Sequence, residues 1–126
     1  MEDHGKLFFK RNAKENMKKV HVNDAEGVEG NPGIIRKTLS YNDEVMMCHF
    51  IMKKGASIPL HGHRASQNGY VISGKVKFFT ETGEFIAEKG LSYVFDANEK
   101  HGAEILEDSE VVEAFAPSRP EYEPKA

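Results

Sequence analysis

The 126-residue chain has one cysteine, no long apolar run and no large excess of one charge. Because Cys48 is alone, no intramolecular disulfide can form, and its apolar neighbours predict a buried, unreactive thiol. No positively charged start leads into a long apolar segment, so we expect no signal peptide, no membrane span and a cytoplasmic protein. The 17 basic and 20 acidic residues are intermixed, which argues against nucleic acid as a partner.

The length allows one compact domain with a core and is too short for two. Residues 1–33 are largely polar, and we expect them to form an N-terminal arm, helical or extended. Residues 6–19 could supply about four helical turns of that arm. Residues 117–126 contain three prolines and are predicted to form an extended tail.

Strand signals dominate from residue 34 to residue 116. Short β-branched and aromatic segments alternate with turn residues about every 8–12 positions, a rhythm typical of an all-β sandwich or barrel. An α/β fold would need long amphipathic helices, and there is no room for them. Ser73-Gly74 predicts a hairpin turn between two of the strands. The predicted strands cover residues 34–41, 45–53, 57–63, 70–73, 75–80, 85–88, 91–95, 103–106 and 111–116.

Four spaced polar residues, His61, His63, Gln67 and His101, suggest a metal site. Residues two apart on a strand point to the same side, so His61 and His63 can aim two imidazoles at one point. Gln67 and His101 could complete the ligand set. Imidazole suits nickel, zinc, iron and copper alike, so the metal's identity stays open. A histidine pair alone is a weak signal, and Gln67 could instead hydrogen-bond inside a metal-free barrel.

The two segments that carry these residues resemble the two motifs of the cupin superfamily of jelly-roll barrels. Gly55, His61, His63 and Gly74 match the first motif, and Gly90 and His101 match the second. This resemblance implies a single-domain, all-β, jelly-roll-like barrel over residues 34–116 that binds a divalent transition metal.

Three positions depart from the usual motif residues. Gln67 replaces the usual glutamate, and a neutral ligand leaves the metal its full charge. Asp96 and Asn98 stand where proline and glycine are usual, and asparagine tolerates the left-handed turn that the glycine would adopt.

Near the C-terminus, Glu113, Phe115 and Arg119 form a second informative group. Spacing alone favours an exposed salt bridge between Glu113 and Arg119. The segment resembles the Asp-x-Phe-x-Pro-x-Arg ending of KdgF-like cupins, a group that opens the rings of unsaturated uronates from pectin or alginate. That resemblance implies an acid–base role for Glu113, although the group usually has aspartate there. It implies sugar packing for Phe115 and carboxylate binding for Arg119.

Other functions remain open at the level of sequence. A metal-dependent dioxygenase, a non-catalytic module that binds a small anionic ligand, and a purely structural barrel are the alternatives. We expect a homodimer, because cupin barrels commonly pair and the arm before residue 33 could be exchanged. His4 and His21 are expected to be solvated, and His49 could face the cavity or the opposite side of its strand.

Overall fold

The computed structural model describes residues 17–125, and all eight of its strands pair in antiparallel fashion. In those residues none of the helices is both long and apolar enough to cross a membrane. Two 3-10 turns, Val22–Asp24 and Pro120–Tyr122, flank the strands. The strands are β1 (Gly27–Glu29), β2 (Ile34–Tyr41), β3 (Met46–Met52), β4 (Ser57–His61), β5 (Ser66–Thr80), β6 (Glu84–Glu88), β7 (Ser92–Phe95) and β8 (His101–Ala116).

Two long strands, β5 and β8, form the spine of the fold. Along the sheet the strands run in the order β1-β2-β3-β8-β5-β6, while β4 pairs with β8 and β7 pairs with β5. The second half of β8 pairs with β3, and its first half pairs with β4. One strand thereby connects both ends of the barrel, and this connection brings residues from distant parts of the sequence to one inner surface.

The inner surface follows from the alternation of side chains along each strand. In β3, every second residue from Met46 to Met52 is buried, including Cys48. Burial raises the pKa of the Cys48 thiol to about 11, which agrees with the inert thiol expected from the sequence. The all-β, single-domain prediction is confirmed.

The predicted hairpin at Ser73-Gly74 is wrong, because β5 continues through both residues. Gly74 has a φ of +93°, and its pairing with β8 shifts register there, as at a β-bulge. A Cβ at this position would lie 2.1 Å from the Ser109 Oγ of β8. The absence of a side chain at Gly74 therefore lets β5 and β8 approach closely at the bulge. The predicted strands 103–106 and 111–116 are likewise parts of the single strand β8.

The segments at both ends of the barrel differ from the simple arm and tail that the sequence suggested. Part of the proposed arm, β1, pairs with β2 and belongs to the sheet. The proposed extended tail contains a 3-10 turn, because Tyr122 packs its ring edge-on against Phe50 and Phe115 of the barrel. Met17–Lys19 is not helical, and the rest of the predicted helical segment, with His4, lies outside the described residues.

Candidate metal centre and its cavity

Three histidines from separate parts of the chain meet at one end of the barrel. His61 ends β4, His63 follows two residues later, and His101 begins β8 directly opposite His61 in the strand register. One nitrogen atom of each ring lies within 4.8 Å of the corresponding atoms of the other two. The ring centroids are 4.6 to 5.5 Å apart. This group can hold a metal ion.

Backbone carbonyls fix the orientation of the three rings. The Nδ1 atoms of His61, His63 and His101 lie 2.9, 2.8 and 2.8 Å from the carbonyl oxygens of Pro59, Ala65 and Glu99, respectively. A carbonyl oxygen only accepts, so each Nδ1 carries the hydrogen and donates it. Each Nε2 of the neutral rings is left with a lone pair, which is the tautomer that a metal ligand needs.

Gln67 completes this arrangement with its amide oxygen. Its Oε1 lies 3.0 Å from the Nε2 atoms of both His63 and His101, while its Nε2 donates to Glu113 over 2.8 Å. With the amide in this orientation, an oxygen and two nitrogens present lone pairs to each other, and no hydrogen is available between them. A cation at this point would satisfy all three, so the residues fit a divalent transition metal.

The local environment keeps the imidazoles of His63 and His101 neutral. Burial lowers the pKa of His101 to about 4, and burial together with the charge of Arg119 lowers the pKa of His63. Phe95, which the sequence analysis did not single out, stacks flat on the His101 ring with the centroids 4.4 Å apart. Near neutral pH these rings are therefore unprotonated and held in place, ready to coordinate.

The loop before His101 adopts the conformation expected of its unusual residues. Asn98 has a φ of +66°, so asparagine does take the left-handed turn that glycine would otherwise supply. Its backbone N–H donates to the carbonyl oxygen of His63 over 2.8 Å. This bond ties the loop that delivers His101 to the segment that carries the other two histidines.

Glu113 is buried beside the metal centre and belongs to the same hydrogen-bond network. Its Oε2 accepts from the Nε2 of Gln67 and, over 2.6 Å, from the hydroxyl of Tyr93. Only 6% of the residue is exposed, and burial raises the pKa of its carboxyl group. No hydrogen bond from residues 17–125 reaches its second oxygen, Oε1. Glu113 is thus a carboxyl group with raised proton affinity and one free oxygen.

Gly69 makes room for this network. In the strand register Gly69 of β5 lies between Tyr93 of β7 and Glu113 of β8. A Cβ on Gly69 would lie 2.2 Å from the Cζ atom of Tyr93. The missing side chain lets the phenol cross β5 and reach the carboxylate.

Arg119 does not pair with Glu113, so the exposed salt bridge that spacing alone favoured is wrong. Its Nε and Nη2 both donate to the Oε2 of Glu121, at 3.2 and 2.9 Å. Its guanidinium carbon lies 4.1 Å from the ring centroid of Tyr122 and 5.3 Å from that of Phe115. Arg119 therefore sits over an aromatic surface at the cavity wall.

Six of the side chains described above line a common cavity of about 300 Å³. His61, Gln67, His101, Glu113, Phe115 and Arg119 all face it. The other lining residues include Arg36 and Tyr122, which the sequence analysis did not single out. Period-two alternation of β2 could have indicated Arg36, but nothing in the sequence indicates that Tyr122 folds back. His49 does not line the cavity, and its Nε2 pairs with Glu110 at 2.9 Å.

Comparison with known proteins agrees with this architecture. The sequence model of the cupin domain family (Cupin_2) matches residues 48–116. The pectin degradation protein KdgF of Dickeya dadantii (strain 3937) is 33% identical over 92 residues, which cover 71% of this chain and 84% of that protein.

Solved structures give the same result. KdgF from Halomonas sp. superposes with a TM-score of 0.76 at 28% identity, covering 81% of this chain and 96% of that one. An RmlC-like cupin from Shewanella frigidimarina NCIMB 400 superposes with a TM-score of 0.77 at 24% identity, covering 85% of this chain and 100% of that one. At that identity the second likeness supports the fold alone.

Proposed function

Because the chain belongs to the cupin family, we propose that its metal centre serves an enzyme that opens or isomerises the ring of a small sugar acid, an unsaturated uronate. The observation that carries the proposal is the position of Gln67. Its amide joins the histidine cluster at one end to Glu113 at the other. The pectin degradation proteins that resemble this chain support a uronate as the substrate class.

His61, His63, His101 and Gln67 would hold the metal, which would act as a Lewis acid on substrate oxygens when bound. The neutral Gln67 adds no negative charge to the ligand set, so an anionic substrate meets a strongly positive centre. Nickel, zinc, iron and copper all suit these ligands, and elemental analysis of the purified protein would distinguish them.

Glu113 moves the proton. Ring opening and tautomerisation take a proton from one substrate atom and give one to another, with no net oxidation. The free Oε1 of Glu113 can make both transfers, because the hydrogen bonds from Gln67 and Tyr93 occupy Oε2 and hold the carboxyl group in place. Burial raises its pKa, so this carboxyl group is a stronger base than an exposed carboxylate and holds a proton more readily.

Phe115 and Arg119 position the substrate. The Phe115 ring offers an apolar surface for the sugar beside His63, with the two ring centroids 5.9 Å apart. Arg119 can bind a carboxylate through parallel N–H groups, and its stacking on Tyr122 keeps the guanidinium plane oriented.

The test is an activity assay with unsaturated uronates released from pectin or alginate by lyases. Loss of the ultraviolet absorbance of the conjugated double bond should accompany turnover, and chelation of the metal should abolish it. Oxygen consumption should stay at the background rate. If no unsaturated uronate is converted by the metal-loaded protein, the proposed reaction is wrong, and oxygen uptake during turnover would support the dioxygenase instead.

We also propose that the chain pairs as a homodimer through the outer face of β3, β8, β5 and β7. Supporting this, Tyr70 is 48% exposed and Val94 is 59% exposed, and Met47 and Ile72 add exposed apolar surface on the same strands. Sedimentation should give the mass of two chains, and Val94→Lys should give one chain. A monomeric parent protein would contradict the pairing.

The cytoplasmic location remains a prediction that cell fractionation can test.

A further inference from the structure

Arg36 is a second arginine on the cavity wall, and neither the motifs nor the proposed chemistry uses it. It lies on β2 between Ile34 and Thr38, directly opposite Phe50 of β3. Ile34 and Phe50 line the same cavity. A half-buried cation therefore lies at the edge of the space that the substrate would occupy, and it also borders a second cavity lined by Glu26, Glu121 and Glu123.

Contacts within the protein hold the Arg36 side chain in place. Its Nε lies 3.3 Å from the Oγ1 of Thr38, and its guanidinium carbon lies 4.2 Å from the centroid of the Tyr122 ring. Thr38 in turn donates its hydroxyl hydrogen to the carbonyl oxygen of Tyr122 over 2.6 Å. A guanidinium fixed in this way loses little conformational entropy when it binds a ligand.

The two cavity arginines differ in how their charge is balanced. The guanidinium of Arg119 is ion-paired with Glu121 at 2.9 Å. Among residues 17–125, no carboxylate forms an ion pair with Arg36. Removing a cation from water without a counter-ion is unfavourable, so an anionic group from the ligand would stabilise this position.

Arg36 and Arg119 contact the same aromatic ring and so are neighbours on the cavity wall. Both guanidinium carbons lie close to the Tyr122 centroid, at 4.2 and 4.1 Å. Arg119 also lies 5.3 Å from the ring of Phe115, which packs beside His63 with the ring centroids 5.9 Å apart. Of the two arginines, Arg119 is thus the one that contacts the aromatic side chain next to the histidines.

We propose that Arg36 binds the carboxylate of the sugar acid together with Arg119, so that the ligand's anionic end lies beside Tyr122. This inference rests on the proposed function for the identity of the ligand as a sugar acid. The planar guanidinium suits a carboxylate because two parallel N–H groups meet its two oxygens. The guanidinium of Arg36, which is in no ion pair within residues 17–125, can accept such a carboxylate.

The test compares galacturonate with galactose, which has a hydroxymethyl group in place of the carboxylate. Binding of each sugar is measured by NMR titration of the metal-free protein, so that no metal contributes to the attraction. The variants are Arg36→Gln, Arg36→Lys and, as a matched control, Arg64→Gln, because Arg64 is exposed and does not line the cavity. Circular dichroism confirms that each variant is folded, and Arg36→Lys provides a charge-retaining alternative.

We expect the parent protein to bind galacturonate more tightly than galactose, and Arg36→Gln to reduce that preference by about tenfold or more. Arg36→Lys should keep part of the preference, and Arg64→Gln should keep all of it. A parent protein without a preference, or an Arg36→Gln variant that retains it, overturns the inference. If the preference depends on Arg36 but the metal-loaded protein converts no uronate, the inference stands and the proposed reaction fails.

Discussion

Replacing Gly69 with alanine should disrupt the network around Glu113 by a single methyl group. The new Cβ would lie 2.2 to 2.5 Å from three atoms of the Tyr93 phenol group, its Cζ, hydroxyl oxygen and Cε1, much less than a van der Waals contact. The ring cannot rotate away freely, because it packs against Phe78 and Phe95 with centroids 4.4 and 5.6 Å away. The ring must therefore shift as a whole, and its hydroxyl moves away from Glu113.

The expected cost follows from two terms. Overfilling a packed core costs about 1–3 kcal/mol. Loss of the 2.6 Å hydrogen bond to a buried carboxyl group costs about 1–3 kcal/mol more. We expect Gly69→Ala to lower the free energy of unfolding by about 3 kcal/mol or more, a large part of the stability of a domain this size. Tyr93→Phe removes only the hydroxyl and should cost about 1–2 kcal/mol.

Urea unfolding of the metal-free protein measures both values, and Gly83→Ala is the matched control, because a Cβ there meets nothing within 4 Å. The pH–rate profile gives a second measurement. The hydrogen bond from Tyr93 lowers the pKa of Glu113, and both Gly69→Ala and Tyr93→Phe remove it. The part of the pH–rate profile that follows the ionisation of Glu113 should therefore move to higher pH in both variants. If Gly69→Ala is as stable as Gly83→Ala, or if the pH–rate profiles of Gly69→Ala and Tyr93→Phe match that of the parent protein, the hydrogen bond from Tyr93 does not hold Glu113 as proposed.

Three further predictions concern the charged and titratable groups. Glu113→Gln should fold and keep its metal, because an amide oxygen can still accept the hydrogen bonds from Gln67 and Tyr93. Its kcat should nevertheless fall about 100-fold or more. Normal turnover by this variant would rule out proton transfer by Glu113. Arg119→Ala should raise KM for the uronate at least about tenfold in steady-state assays, and unchanged kinetics would exclude carboxylate binding by this residue. In metal-free protein, His101 has a folded pKa of about 4 against 6.5 unfolded, so its contribution to stability is full above pH 6.5 and is lost as the pH falls towards 4. Urea unfolding should show that the free energy of unfolding falls by about 3 kcal/mol as the pH drops over that range. In His101→Asn most of this pH dependence should be absent. If the free energy of unfolding of parent and variant changes equally with pH, the assignment to His101 is wrong.

The histidine cluster could be predicted from the sequence because its geometry depends on residues close together in the chain and on the spacing of two motifs. His61 and His63 are two residues apart on extended backbone, and the turn at Asn98 depends on one residue's tolerance of positive φ. These features need no knowledge of distant contacts. The spacing of the second motif then delivers His101 to the same point.

Other features depend on which strands become neighbours, and the sequence alone did not reveal them. Gly74 looked like a hairpin turn, yet its conformation serves contact with Ser109, 35 positions further along the chain. Tyr93 and Gly69 become a pair only through the β5–β7 register. Tyr122 contacts Arg36 of β2 and Phe50 of β3 only because the chain after β8 folds back over these strands. Long-range packing set these positions, and local propensity did not.

X-ray absorption spectroscopy combined with elemental analysis of the purified protein tests the central claim most directly. We predict one divalent transition metal per chain, bound by three imidazole nitrogens and further oxygen ligands at about 2.0–2.2 Å, with binding lost in His101→Ala. A protein that takes up no metal, or a bound metal with fewer than three imidazole ligands, would contradict the assignment of His61, His63 and His101.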